Sequence, residues 1–147
     1  MKLTEALFCE RTLKEYVLGN EKKQTKIVMQ SLSGGEMKEV DREVFINFPN
    51  ASYEIRLMAY RIPTLCRALI SIDGTNISNL DEVASILKKE KDMKIHEAVA
   101  KVMHDNFDNE MLTILYSLYL DFETEVRKEK EKLKDFSKAQ KDVSSGS

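Results

Sequence analysis

Two histidines, two cysteines and a scatter of serines are the side chains that could hold a metal or attack a substrate. His96 and His104 fall two turns apart if they share a helix, too far for the pair alone to chelate one ion. A zinc site takes about four N, S or O ligands, usually with close Cys or His pairs, and Cys9 and Cys66 have no such partners nearby. A nucleophilic triad needs a Ser or Cys, a His to take its proton and an orienting acid. Cys66 sits in an apolar helical segment, where a thiol stays protonated and inert, and Ser33 lacks a G-x-S-x-G setting. Ser33-Gly34-Gly35 is too short for a phosphate loop, which reads G-x-x-x-x-G-K-[ST] after a strand. Asp73-Gly74 matches a fragment of a calcium loop without the other ligands or the closing Glu. Carboxylates are plentiful but lie among lysines, and no spacing forces two of them into a shielded cleft. No catalytic residue, metal site or cofactor is therefore assigned, and the chain is read as non-enzymatic.

Arginines interrupt the most apolar segment at Arg56, Arg61 and Arg67. The ordinary reading is an outer helix face or pairing with acids; the functional one is an anchor for a partner's carboxylates, which suit the fixed guanidinium fork. Phe107, Tyr116, Tyr119 and Phe122, with seven methionines, either fill the core or give an adaptable binding surface.

The elements that must position these residues follow from spacing. A chain of 147 residues suits one domain with a sizeable core. Five glycines and two prolines favour long regular elements. The net charge of −2 gives no basic excess of the kind nucleic-acid binders carry. No segment approaches the roughly 20 apolar residues of a spanning helix. Charge at Glu5, Glu10 and Arg11 breaks any secretory signal core, so both cysteines are read as reduced thiols in a cytoplasm.

Residues 1–32 read either as a ragged helix or as two strands, 12–18 and 25–32, about a turn at Gly19-Asn20; the hairpin is favoured. Ser33 with Glu36 forms a capping-box pattern ahead of Met37, Val40, Val44, Phe45 and Phe48, and Pro49-Asn50 ends that helix. Ser52 caps the next, with a kink or restart at Pro63 and a core helix through Leu65–Ile72. Asp73-Gly74-Thr75-Asn76 is a turn across which Ile72 and Ile77 could pair. Ser78 or Asn79 caps a helix carrying Leu80, Val83, Ile86 and Leu87, and another runs over 93–104. Asp108 caps a long last helix with Met111, Leu115, Leu118, Phe122 and Val126 inward, widened by Leu112, Tyr116 and Tyr119. Its charged stretch from Arg127 projects from the domain. The fold class is mainly α (α+β): a single helical domain over 1–136 with a short N-terminal β-hairpin (about 12–32), a long C-terminal helix, and a flexible tail over 137–147.

Leu32-Ser33-Gly34-Gly35-Glu36 followed by Ala59-Tyr60-Arg61-Ile62-Pro63-Thr64-Leu65-Cys66-Arg67-Ala68-Leu69-Ile70-Ser71-Ile72-Asp73-Gly74 resembles small tail-assembly proteins of tailed bacteriophages. The chain is similar both to tail assembly chaperones and to baseplate-associated proteins of contractile-tailed phages, over roughly residues 25–125. The resemblance implies a short β segment, an acidic helix entered through L-S-G, a helix ending at Ala68–Gly74, and C-terminal helices. It implies a non-enzymatic role: binding tape-measure, tube or baseplate hub proteins in the host cytoplasm or the virion tail, with oligomerisation allowed. Arg56, Tyr60, Arg61, Arg67, Asp73 and Gly74 are the residues expected to contact partners or to hold the fold. The competing expectation is a small helical regulator or adaptor that binds nucleic acid through its lysine-rich C-terminal helix, against which the balanced acids of 123–135 argue.

Overall fold

The computed structural model describes residues 1–7 and 10–145, with side chains of the last helix described through Lys134. Cys9 lies outside the described residues.

The loop Asn20–Lys23 fixes the first feature of the fold. The Asn20 carboxamide oxygen accepts from the backbone N–H groups of Lys22 and Lys23, at 2.9 and 3.1 Å. The Asn20 N–H donates to the Lys23 carbonyl at 2.9 Å. Gly19 enters the loop at φ +123, and a Cβ there would lie 2.0 Å from that carbonyl oxygen. Only glycine closes this turn. Strands β1 (Leu13–Gly19) and β2 (Gln24–Gln30) therefore pair antiparallel, Tyr16 opposite Ile27. The N-terminal hairpin is as expected; the helical alternative is confined to α1, one turn at Leu3–Ala6.

Strands β3 (Leu69–Ile72) and β4 (Thr75–Asn76) complete a sheet of order β1-β2-β3-β4. This corrects the helix expected to run through Ile72. The hydrophobic run is helical only to Ala68. Beyond it, Ile70 and Ile72 are β-branched, and the exposed edge of β2 offers hydrogen bonds that a longer helix would leave unmade. Asp73 and Gly74 both take positive φ, 48 and 79, the conformation of a two-residue primed turn. Ile72 accordingly pairs with Thr75, not Ile77.

Helices precede and follow this ribbon. Helix α2 (Gly34–Asn47) starts in the expected capping box: Ser33 Oγ accepts from the Glu36 N–H at 3.2 Å, and the Glu36 carboxylate accepts from the Ser33 N–H at 3.0 Å. Ser52 caps α3 (Tyr53–Ala59). The restart falls at Tyr60, so Pro63 lies in the first turn of α4 (Arg61–Ala68), where its missing N–H costs nothing. Ser78 and Asn79 do not cap a helix as expected: they lie in a 3-10 turn, Ile77–Asn79, capped by Asn76, and Leu80 precedes α5 (Asp81–Lys89).

Helix α6 spans Ile95–Asn106. Asp108 caps α7 (Asn109–Ser145), its carboxylate accepting from the Met111 N–H at 2.8 Å. The buried residues of α7 are Leu112, Leu115, Tyr119 and Phe122, all within the expected stripe; Tyr116, Leu118 and Val126 pack partly buried beside them, and only Met111 departs from it, being exposed. The tail expected over 137–147 falls on residues whose side chains lie outside the described set; the helix itself runs to Ser145. The core is shared by the sheet (Ile27, Met29, Leu69), α4 (Leu65, Cys66, Ala68), α6 (Ala98, Val99, Met103) and α7. Among the described residues no helix is long and apolar enough to cross a membrane.

Candidate protein-binding surface

Helix α3 carries Tyr53, Ile55, Leu57 and Met58, and none of its residues is buried. Tyr53 and Leu57 share one face by their spacing of four, and Ile55 and Met58 another by their spacing of three, so the helix is greasy on more than one side. Next to it, the last turn of α2 exposes Phe45, and Phe48 follows at the helix end. The two elements join through Arg56. Its guanidinium stacks 4.8 Å from the Phe45 ring centroid and donates to the Pro49 carbonyl at 2.9 Å. Phe48 and Met58 line one hollow of about 420 Å³ with Ile62, Pro63 and Ala100. Phe45, Phe48, Tyr53, Ile55, Leu57 and Met58 are each at least 41% exposed.

The residues singled out by the sequence divide between the surroundings of α3, the interior and the exposed β3–β4 turn. Arg56 lies on the apolar surface, with the partners just described. Tyr60 ties the α3–α4 junction to α2, donating to Asp41 at 2.7 Å. Burial and then that bond push its phenol up to about 12. Arg61 is turned to the start of α7, donating to the Asn109 side-chain oxygen at 2.6 Å and to Thr113 Oγ1 at 3.0 Å.

Arg67 is buried, with its side chain only 3% exposed. It donates to the Pro63 carbonyl at 2.7 Å and to Glu43, and Glu39 stands 3.4 Å from its Nε. Burial opposes its charge, but the bonds to Glu43 and the field of both acids carry its pKa above the ordinary value. Such a side chain joins α4 to α2; it cannot reach a partner. Asp73 and Gly74 form the β3–β4 turn. The Asp73 carboxylate accepts from the Lys26 N–H at 2.8 Å, so it anchors the turn to β2. The structure thus gathers Arg56, Tyr60 and Arg61 around α3 and separates Arg67, Asp73 and Gly74 from them.

The sequence placed Phe45 and Phe48 at helical spacing with Met37, Val40 and Val44 without marking them as exposed; they and the apolar residues of α3 are what reasoning from the sequence missed. The signal was there in Tyr53, Ile55, Leu57 and Met58, which are too evenly spread for a seven-residue helix with one inner face.

The buried thiol and the half-buried histidine lie elsewhere. Cys66 is buried, which pushes its thiol up to about 12, and it donates to the Pro63 carbonyl. His96 shares a shallow polar hollow with Arg67, Glu36 and Glu39. Burial and the Arg67 charge lower its pKa. An apolar cleft of about 540 Å³ opens between the sheet and the α6–α7 junction, lined by Leu18, Ile27, Leu69, Phe107 and Leu115. Among the described residues no three His, Cys, Asp or Glu side chains group as metal ligands would. No family model, no curated protein and no solved structure matches this chain.

Proposed function

We propose that this chain is a non-enzymatic binding component that docks another protein on the apolar surface formed by α3 and the end of α2. The observation that carries this is α3 itself. A helix of seven residues with four large apolar side chains and no buried position gains little by folding onto its own chain. Covering it with a partner removes apolar area from water at roughly 25 cal/mol per Å². Arg56, held over Phe45, supplies a charged donor at the centre of the patch, a common makeup for an interface anchor. The resemblance of residues 32–36 and 59–74 to phage tail-assembly proteins suggests the partner: a tape-measure, tube or baseplate protein. The alternative of a nucleic-acid-binding C-terminal helix has less support. Arg127 pairs with Glu123 at 3.0 Å and Lys132 with Glu129 at 2.9 Å, so these cations are balanced along the helix.

The test is co-expression with the products of the neighbouring genes. A tail protein should co-purify with the wild type. Ile55→Asp, an exposed change, should abolish that capture while leaving the thermal midpoint within a few degrees. Capture that survives Ile55→Asp, or salt-sensitive DNA binding in place of protein capture, would overturn the proposal.

A further inference from the structure

The charges of α2 are sorted by side. Its acids are Glu36, Glu39, Asp41 and Glu43, and each is engaged. Glu36 closes the capping box and meets Arg11 at 2.7 Å. Glu39 and Glu43 face the buried Arg67, and Asp41 accepts from Tyr60 at 2.7 Å. The cations of α2, Lys38 and Arg42, are exposed and form no ion pair among the described residues. Their spacing from Phe45 puts all three on one helix face.

The hollow beside α3 repeats the pattern. Its charged lining is Arg61 and Lys101, with His104 beside them, and no acid lines it. Arg61 donates only to neutral oxygens, those of Met58, Asn109 and Thr113. Lys101 forms no ion pair among the described residues. The acids one turn to either side of it are turned elsewhere. Glu97 accepts from the Lys94 N–H at 3.3 Å, and Asp105 meets the His104 ring at 3.3 Å. Arg56 likewise donates to a carbonyl and stacks on a ring, with no carboxylate. Glu54 is the exception on this side, in the first turn of α3, where the helix dipole favours an acid.

We propose that the segment docked on this surface is an acidic amphipathic helix of a second protein. This inference rests on the docking reading above and names the chemistry of what docks. Charge selects the acids: Lys38, Arg42, Arg56, Arg61 and Lys101 flank apolar side chains, which suits an apolar stripe with carboxylates beside it. Backbone hydrogen bonding selects the helix. The surface is built from helices and one short loop, so it offers no strand edge to an extended peptide. A helix satisfies its own backbone groups and needs only side-chain contacts. The hollow of about 420 Å³ accepts a protruding side chain, which neither a phosphate backbone nor a flat headgroup surface presents. A second copy fits poorly. Its own surface of this kind sets cation against cation, and its α7 stretch from Arg127 mixes both signs.

The probes are two fluorescent synthetic helices with the same leucine stripe, one flanked by glutamates and one by lysines. The wild-type chain should bind the glutamate helix about tenfold more tightly, and the preference should shrink at high salt. Arg42→Glu combined with Lys101→Glu, both exposed, should abolish or reverse that preference with the circular dichroism unchanged. Met58→Ser, a neutral change in the hollow, should weaken both helices alike. Equal binding of the two helices by the wild type, weakened in Met58→Ser, would overturn the acidic partner and keep the docking surface. Binding of the glutamate helix that Met58→Ser leaves untouched would lie off this surface and overturn both. Binding of neither helix, or tighter binding of anionic phospholipid vesicles or duplex DNA than of the glutamate helix, would overturn the acidic partner.

Discussion

Helices α3 and α4 are neighbours in the chain, similar in length and both rich in apolar residues, yet α4 buries Thr64 through Ala68 and α3 buries nothing. The difference is the number of neighbours. Helix α4 packs against α2, α6 and α7 and feeds β3, whereas α3 touches little beyond α4 and the end of α2. Hydrophobicity belongs to the residue, but burial belongs to what the rest of the chain can bring alongside. Helix α3 is held by polar devices: the Ser52 cap, at 3.4 Å from the Ile55 N–H, and the bond from Arg56 to Pro49. A helix held this way keeps its apolar side chains available to a partner.

The sharpest way to break this comparison is to truncate one leucine in each helix. Leu65→Ala empties a site that is 1% exposed and should cost about 2–5 kcal/mol in urea unfolding. Leu57→Ala should stay within about 0.5 kcal/mol; equal losses would show that α3 is packed in solution. A smaller contrast lies in the arginines. Arg67→Ala removes the bonds to the Pro63 carbonyl and Glu43 from the interior and should cost about 2 kcal/mol. Arg56→Ala removes one exposed carbonyl bond and one ring contact and should cost under about 1 kcal/mol.

The smallest effect is with pH, and it reads the surroundings of α4. Burial and Arg67 lower the His96 pKa in the folded chain. Between the folded value and the unfolded one, about 6.5, the unfolded chain binds the extra proton. Stability is therefore full above about 6.5 and falls as the pH drops toward the folded pKa. Thermal melts across this window should show that slope, and His96→Gln should flatten it. A slope unchanged in His96→Gln would assign the proton uptake to another group.

Much of the local structure was legible in the sequence because its causes are local. Ser33 and Glu36, Ser52 and Asp108 cap the helices they precede, since a side-chain oxygen within three residues of a free N–H needs no tertiary help. The hairpin was legible from Gly19-Asn20, and the break before Gly74 from Asp73, for the same reason. The break of the long apolar run at Ala68 was not legible: Leu69–Ile72 suits helix or strand equally well by hydrophobicity, and only the edge of β2 selects strand.

The candidate surface was partly legible. Arg56, Tyr60 and Arg61 lie around α3, where the sequence directed attention, but Arg67 was indistinguishable from them by spacing. Its burial depends on Glu39 and Glu43 of α2 lying opposite, acids more than twenty residues away in the chain.

By itself, then, the sequence determined the helical character, the hairpin, the caps and the turns, all set by interactions within a few residues. Only the tertiary structure decided which of two apolar helices is core, which arginine is an interior strut and which cations face outward. Those outcomes depend on which distant segments arrive beside a residue to exclude water from it, and one-dimensional spacing carries no record of that.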